Sequence, residues 1–332
     1  MRNKEKKLEN QKRLFKTIQK DFPPQSSLAE KISELLGIGI DSAYRRIRGD
    51  KTISYDETVI ICKHFGISLD VQLYGINKMQ YNFVPSDLME IKSYLSYAQE
   101  LALITEKISM KSGGEIILSA ADVPAYQYVA FSELALFQLF SWHKNVYDFS
   151  GTYEDFINSD EINSNAISQV FSNIYQNYQQ VPSTEIWTNH TIDSLLKLVK
   201  YHFELDHFHD KQIPVLLCDH LLNMLTNLKE WAVKGYKAPY NTPFKFFVNE
   251  IDIGNTFIFS HNEDMKRCII RLFTINGLHI KDERFCHEVE IWLDSLMKRS
   301  VLISGTSTKE RFNFFSSQIK KVTSLIDFIN AH

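Results

Sequence analysis

Three arginines fall within four positions of the sequence, and their side chains suit contacts with nucleic acid. Arg45, Arg46 and Arg48 follow a serine and a tyrosine, Ser42 and Tyr44. A guanidinium group is planar, stays charged and donates paired hydrogen bonds to guanine edges or to phosphate oxygens. The spacing therefore predicts a short basic helix on which Tyr44, Arg45 and Arg46 contact bases. The residues predicted to contact nearby bases or phosphates are Ser42, Arg48, Lys51 and Thr52.

The elements that must position these residues are two helices joined by a tight turn. Leu28, Ile32 and Leu36 recur at helical spacing before the turn, and Gly37 and Gly39 permit an abrupt change of direction. The basic helix then runs from residue 41 to residue 48, with an aspartate or serine available as its cap.

The apolar residues of the basic helix predict which of its sides faces the protein. Ala43 and Ile47 stand four residues apart with Tyr44 beside them, so they are expected to pack inward. The remaining side chains, those of Ser42, Arg45, Arg46 and Arg48, are expected to point outward.

A supporting helix follows the basic helix and has clear start and stop signals. Ser54 and Glu57 have the spacing of a capping box, and Gly66 ends the apolar run that follows. With a first helix over residues 4–21 and a short one from Ser68, the sequence predicts five helices in about 70 residues.

The run YRRIRGDKTISYDETVIICKHFGISLDVQLY resembles the second half of the Xre-like, phage-repressor type of helix-turn-helix domain. Its first half is matched by Ile32, Ser33, Leu36, Gly37 and Ile38. The resemblance covers residues 8–75. It implies that the basic helix is a recognition helix that enters the major groove of double-stranded DNA.

The sequence departs from that family at the inward positions of the recognition helix. Counted back from Gly49, the family places inward side chains at Ala43 and Arg46, whereas the apolar residues here are Tyr44 and Ile47. The two patterns differ by one residue and leave open which arginines contact bases and which contact phosphates.

Length and composition indicate a folded protein with more than one domain. The chain has 332 residues, 44% of them hydrophobic and 23% charged, and four widely spaced cysteines that are expected to be reduced and buried. No apolar stretch suits a membrane span, and the charged start lacks a secretion signal, so a cytoplasmic location is expected. Residues 1–75 hold 14 Lys/Arg against 10 Asp/Glu, a net charge of +4, whereas the rest holds 23 against 30, or −7.

The predicted fold is mainly α-helical, with an α+β second part. Residues 1–75 form the helix-turn-helix domain, residues 76–111 a linker and a long connecting helix, and residues 112–332 a mostly helical domain. A small antiparallel sheet is expected near residues 244–280. Two segments, LSAADVPAYQYVAFSELALFQLFSWHK and RSVLISGTSTKERFNFF, are similar to C-terminal regions of uncharacterised bacterial helix-turn-helix regulators and imply no ligand.

Two clusters in the second part were weighed as sites. His202, Asp206 and His209 would share one helix face and could hold a metal, but a polar helix end is the interpretation we favour. In the run SGTSTKER, a glycine and hydroxyls at a helix start suit an anion nest. Because Ser307 and Glu310 also have capping-box spacing, capping is favoured there.

An aromatic set in the same part suits either a ligand pocket or the hydrophobic core, and the core is favoured. Its members are Tyr126, Tyr128, Phe131, Phe137, Phe140 and Trp142. The sequence shows no catalytic arrangement with diagnostic spacing, so neither an enzyme, a metal nor a cofactor is predicted.

These observations lead to the expectation of a sequence-specific DNA-binding transcriptional regulator whose C-terminal domain senses an effector or dimerises. The expected partners are double-stranded DNA, a second copy of the chain and an unidentified small-molecule or protein effector, without a membrane. Two half-sites about 34–36 Å apart double the contact that one short helix makes. The alternative is an enzyme or protein-interaction scaffold that the helix-turn-helix head localises.

Overall fold

The computed structural model describes residues 2–22, 27–67, 94–109, 113–159, 162, 164–263, 265–272 and 277–332. The chain divides into two compact units, Met1–Asn82 and Phe83–His332. The predicted helix from Ser68 and the predicted domain boundary after residue 75 lie outside the described residues.

The described part of the first unit contains four helices. They are α1 Arg2–Asp21, α2 Leu28–Leu36, α3 Ile40–Arg48 and α4 Tyr55–Phe65. They enclose a small core in which each helix buries at least one apolar residue. The residues of this core are Leu14, Phe15, Ile18, Leu28, Ile32, Ala43, Ile61 and Cys62.

The local signals at the ends of these helices act as predicted. Gly37 ends α2 in the left-handed conformation at φ 62°, which permits the turn into α3. The capping box of α4 is complete, because Ser54 Oγ accepts from the Glu57 backbone N–H and the Glu57 carboxylate accepts from the Ser54 N–H. Gly66 ends α4, also at positive φ.

The second unit is mainly helical with one sheet. Its described helices are α5 Tyr94–Ser109, α6 Ala125–Tyr128, α7 Ser132–Tyr147, α8 Tyr153–Ile157, α9 Ser164–Gln179, α10 Asp193–Glu204, α11 Gln212–Lys234, α12 Glu283–Lys298 and α13 Thr308–Ala331. Its described strands are β1 Glu115–Ala120, β2 Ser183–Thr188, β3 Tyr236–Lys237, β4 Thr242–Asn249, β5 Phe257–His261, β6 Lys266–Arg271, β7 Gly277–Ile280 and β8 Val301–Leu302.

The sheet is mixed and larger than the antiparallel sheet that was predicted. Its described strands have the order β3-β4-β2-β1-β5-β6-β7, and β8 also pairs with β4. β2 lies parallel to both β1 and β4, whereas β5, β6 and β7 continue the sheet in antiparallel pairs. The small antiparallel sheet predicted near residues 244–280 is therefore only part of a larger mixed sheet, and the α+β arrangement is confirmed.

Helices cover both faces of this sheet. On one face, residues such as Leu118 and Phe246 join a large core with α5, α7, α9, α11 and α13. On the other face, Ile186 and Phe259 pack against Leu293 of α12. The aromatic set of the sequence lies in the first core, as expected, with Phe137 and Phe140 fully buried.

A buried polar network crosses the first of these cores at β2. The Glu185 carboxylate accepts hydrogen bonds from Gln127, the Tyr178 hydroxyl and Trp187 Nε1. Lys237 Nζ donates to the Tyr178 carbonyl at 2.6 Å. Burial raises the pKa of Glu185 and lowers the pKa of Lys237 to about 7. These partners explain how a charged residue occupies the middle of a fully buried strand.

Among the helices of the described residues, none combines the length and the apolar character of a membrane span.

Candidate nucleic-acid interface

The candidate interface is built on α3, whose position in the first unit is set by its two ends. Gly39 starts the helix in an extended conformation, and its carbonyl accepts from the Ser42 backbone N–H at 2.9 Å. Gly49 ends the helix at φ 80°, where its backbone N–H reaches the Arg46 carbonyl. The sequence pattern predicted Gly39 in the turn before this helix and Gly49 at its end, and the structure has both there.

The two sides of α3 differ sharply in exposure. Ala43 is 0% exposed and Arg46 is 6% exposed, so these two residues face the protein. Tyr44 is 47% exposed, and Arg45 is exposed beside it. Of the two alternatives from the sequence, the family's inward positions are the correct ones, and the prediction that Tyr44 packs inward was wrong.

The outward side of α3 forms an exposed stripe. Its members are spaced so that they lie next to one another along one side of a helix. This stripe consists of Ile40, Asp41, Tyr44, Arg45 and Arg48. It carries two guanidinium groups, one carboxylate and two large apolar side chains. This mixture suits a partner whose surface has both charged and apolar features.

Arg46 does not belong to the stripe, contrary to the prediction that it contacts bases. Its Nη2 lies 2.6 Å from Glu57 Oε1, and its Nε donates to Glu57 Oε2 at 3.3 Å. Its Nη1 donates to Ser42 Oγ at 2.7 Å. The guanidinium is therefore used inside the unit, and it also engages the hydroxyl of Ser42, another predicted contact residue.

Arg45 and Arg48 are the two arginines left on the surface. The Arg45 side chain has no hydrogen-bond or ion-pair partner among the described residues. Arg48 Nε lies 3.1 Å from Asp50 Oδ2, and both side chains are more than half exposed. An exposed pair of this kind contributes little stability, so phosphate oxygens can replace the Asp50 carboxylate.

The segment that follows α3 is held by a glutamine of α1 that the sequence analysis did not single out. Gln11 Nε2 donates to the carbonyls of Arg46 at 2.6 Å and Lys51 at 2.8 Å. Its Oε1 accepts from the Ile53 backbone N–H at 3.0 Å. Gln11 is buried, and these three bonds fix the backbone that carries the exposed side chains of Lys51 and Thr52. The available signal was its helical spacing from the apolar residues of α1, which places it in line with Leu14, Phe15 and Ile18.

The histidine cluster of the second unit lies at a helix end, the interpretation favoured from the sequence, and not along one continuous helix face. α10 ends at Glu204, and Asp206 adopts a left-handed conformation at φ 52°, so the chain turns between His202 and His209. His202 is buried, and its Nδ1 lies 2.9 Å from His207 Nδ1. The described residues contain no group of side chains arranged to hold a metal ion.

The turn before α13 also differs from the prediction. Ser307 makes no side-chain capping bond, so the capping box proposed with Glu310 was wrong. Instead, the buried Arg311 guanidinium donates to the carbonyls of Ile303 at 2.9 Å and Gly305 at 2.8 Å. An internal arginine therefore stabilises this turn.

The cysteines are buried and unpaired, as expected. They are Cys62, Cys218, Cys268 and Cys286, and burial raises the pKa of each thiol.

In comparisons of this chain with known proteins, no family model, no curated protein and no solved structure matches it.

Proposed function

We propose that α3 binds the major groove of double-stranded DNA and that the chain is a cytoplasmic, sequence-specific transcriptional regulator. The observation that carries the proposal is the Arg45 guanidinium, which is exposed and has no partner among the described residues. Its neighbours on the stripe, Tyr44 and Arg48, are exposed as well. A side chain that offers several hydrogen-bond donors and uses none of them internally is available to a ligand with acceptor atoms.

The local geometry supports this proposal. α2, the turn at Gly37–Gly39 and α3 have the arrangement of a helix-turn-helix, with the second helix exposed along one side. An α-helix with its side chains is about 10–12 Å across, which suits insertion of the first turns of α3 into a groove about 12 Å wide. The first two turns contain most of the exposed stripe.

The charge distribution also supports it. Residues 1–75 carry a net charge of +4, and the Glu57 carboxylate already neutralises Arg46 inside the unit. The stripe carries two exposed cations, Arg45 and Arg48, and the exposed Lys51 follows the end of α3. Phosphate contacts by such cations release counterions, so binding is expected to weaken steeply as salt rises.

The second unit has, in this proposal, the role of an effector-sensing or dimerisation domain. A single α3 presents few side chains to DNA, so two copies of the chain on two half-sites are expected to bind far more tightly than one. The effector in this proposal is either a small molecule or a protein.

The test uses the full chain and duplexes selected by it from a randomised pool. We expect Arg45→Ala to weaken binding of the selected duplex by about fivefold or more, since a bidentate base contact contributes roughly 1–3 kcal/mol. We expect Arg48→Ala to lower the slope of log affinity against log salt by about 1. Lys63→Ala is the control, because Lys63 is an exposed cation in the last turn of α4.

Two results would reject the proposal. One is binding by Arg45→Ala that equals wild-type binding in both affinity and sequence preference. The other is an affinity of the wild-type chain for duplex DNA that does not change with salt.

A further inference from the structure

We propose that Ile40 is a specificity-determining residue and that, with Tyr44, it contacts the C5-methyl group of a thymine. This inference rests on the proposed DNA binding and adds the chemistry of one base in the half-site. Ile40 was not among the contact residues expected from the sequence.

The position of Ile40 is the first argument. It is the first residue of α3 and is 43% exposed, and Tyr44, one turn later, is 47% exposed. The N-terminal residues of a recognition helix are those that approach base edges. Ile40 and Tyr44 therefore lie where base contacts are expected, on the same side of the helix.

The exposure of Ile40 is the second argument. Most of the described isoleucines of this unit belong to its core or pack against it, as Ile32, Ile61 and Ile47 do, whereas Ile40 and Ile60 of α4 are exposed. Ile40 is not among the residues of that core. A β-branched residue at the start of a helix has no advantage in helix propensity either, so neither packing nor propensity accounts for it.

The surroundings of this apolar pair indicate which partner it fits. The stripe places Arg45 and Arg48 directly beside the two apolar side chains. Two apolar side chains among charged ones form too small a patch for a stable protein interface. In the major groove, the thymine methyl group is the one apolar feature among base edges, and phosphates flank it. The charge and apolar content of the stripe therefore match DNA.

The experiment starts from a duplex selected by the wild-type chain. Each thymine is replaced singly by deoxyuridine, which removes only the methyl group. We expect one replacement in each half-site to weaken wild-type binding about fourfold, the effect of one buried methyl or methylene group. At that position, Ile40→Ala is expected to bind the thymine and deoxyuridine duplexes equally, and Ile40→Val to keep part of the preference.

Ile60→Ala is the matched control, because Ile60 is an isoleucine of the same unit with 42% exposure but lies on α4. It is expected to keep the full thymine preference. Amide hydrogen exchange over residues 28–67 establishes that the first unit of each variant is folded before its affinities are compared.

The outcomes separate this inference from the proposed function. If the wild-type chain binds the selected duplex in a salt-dependent way but tolerates every deoxyuridine, or selects a duplex without thymine, the thymine contact is wrong and DNA binding stands. The same holds if Ile40→Ala retains the fourfold preference. If no duplex is bound at any salt concentration, both the inference and the proposed function are wrong.

Discussion

The carboxylate of Glu57 accepts hydrogen bonds from the Arg46 guanidinium on α3 and from the Ser54 backbone N–H at the start of α4. One carboxylate thus connects the two helices and completes the capping box of the second. The hydrogen bond from Arg46 is the largest cause of the lowered pKa of Glu57. The candidate recognition helix is therefore oriented by an ion pair on the side opposite to its exposed stripe.

Glu57→Ala is expected to lower the free energy of unfolding of the first unit by about 2–3 kcal/mol, because it leaves the buried Arg46 unpaired and removes half of the capping box. The measurement is amide hydrogen exchange over residues 28–67. Tryptophan fluorescence does not serve, since the four tryptophans, Trp142, Trp187, Trp231 and Trp292, all lie in the other unit. Asp56→Ala, which removes the exposed acid next to Glu57, should have a much smaller effect; equal effects would contradict the structural role of the ion pair.

Gln11→Ala is expected to speed amide exchange at Ile53 and to destabilise the first unit by about 2 kcal/mol. The change removes the acceptor of that amide and the donor to two carbonyls, and unmet buried polar groups are unfavourable. Gln19→Ala, which changes an exposed glutamine of the same helix, provides the comparison. Protection of Ile53 that is the same in both variants would show that Gln11 does not hold this segment.

Asp41→Asn is expected to strengthen binding to random duplex DNA by about twofold to fivefold at low salt. Asp41 is the acidic member of the exposed stripe, and its carboxylate repels phosphates, an effect of the size of an exposed ion pair. Affinities for random and selected duplexes at two salt concentrations measure it, with Glu9→Gln on α1 as the control. If Asp41→Asn and Glu9→Gln change the affinity equally, Asp41 has no special position relative to DNA.

The stability of the second unit is expected to fall between pH 6.5 and pH 4 because of His202. Burial lowers the pKa of His202 to about 4, with smaller contributions from His207 and Lys144, while the unfolded chain keeps a value near 6.5. In this window the unfolded state binds the extra proton, so stability is fully present above pH 6.5 and is lost as pH falls. A difference of 2.5 pKa units corresponds to roughly 3 kcal/mol.

Denaturant unfolding followed by tryptophan fluorescence checks this expectation, since the tryptophans report on the second unit. The charged or titratable groups that act on the buried ring are His207 and Lys144, and Asp206 acts on His207. The unfolding free energy of His202→Gln should depend less on pH than that of the wild-type chain. His209→Gln, which changes an exposed histidine, should keep the wild-type pH dependence. An identical pH dependence in His202→Gln would assign the effect to other groups.

The two sides of α3 show what could be predicted from the sequence and what could not. Periodicity located the helix to within a residue, because glycines mark both of its ends. It assigned Arg46 to the surface because an arginine counts as polar. The side chain is buried because Glu57, eleven residues away, supplies its counter-charge, and such a partner is invisible to a local pattern.

The sheet was missed at β2 for a related reason. Parallel buried strands are expected to be nearly continuous apolar runs, yet Ser183–Thr188 reads STEIWT and is buried throughout. Its glutamate is satisfied by Gln127, which is 58 residues away in the chain, and by Tyr178 of the helix just before the strand. Parallel pairing with β1 and β4 likewise joins segments that are far apart in the chain, so hairpin signals could not reveal it.

The three hydrogen bonds of Gln11 make α1 a part of the candidate nucleic-acid interface. A chain shortened past this glutamine would lose these bonds to the backbone of Lys51 and Ile53, about 40 residues away, while every residue of the stripe is retained. We expect such a shortened chain to bind the selected duplex more weakly than the full chain does.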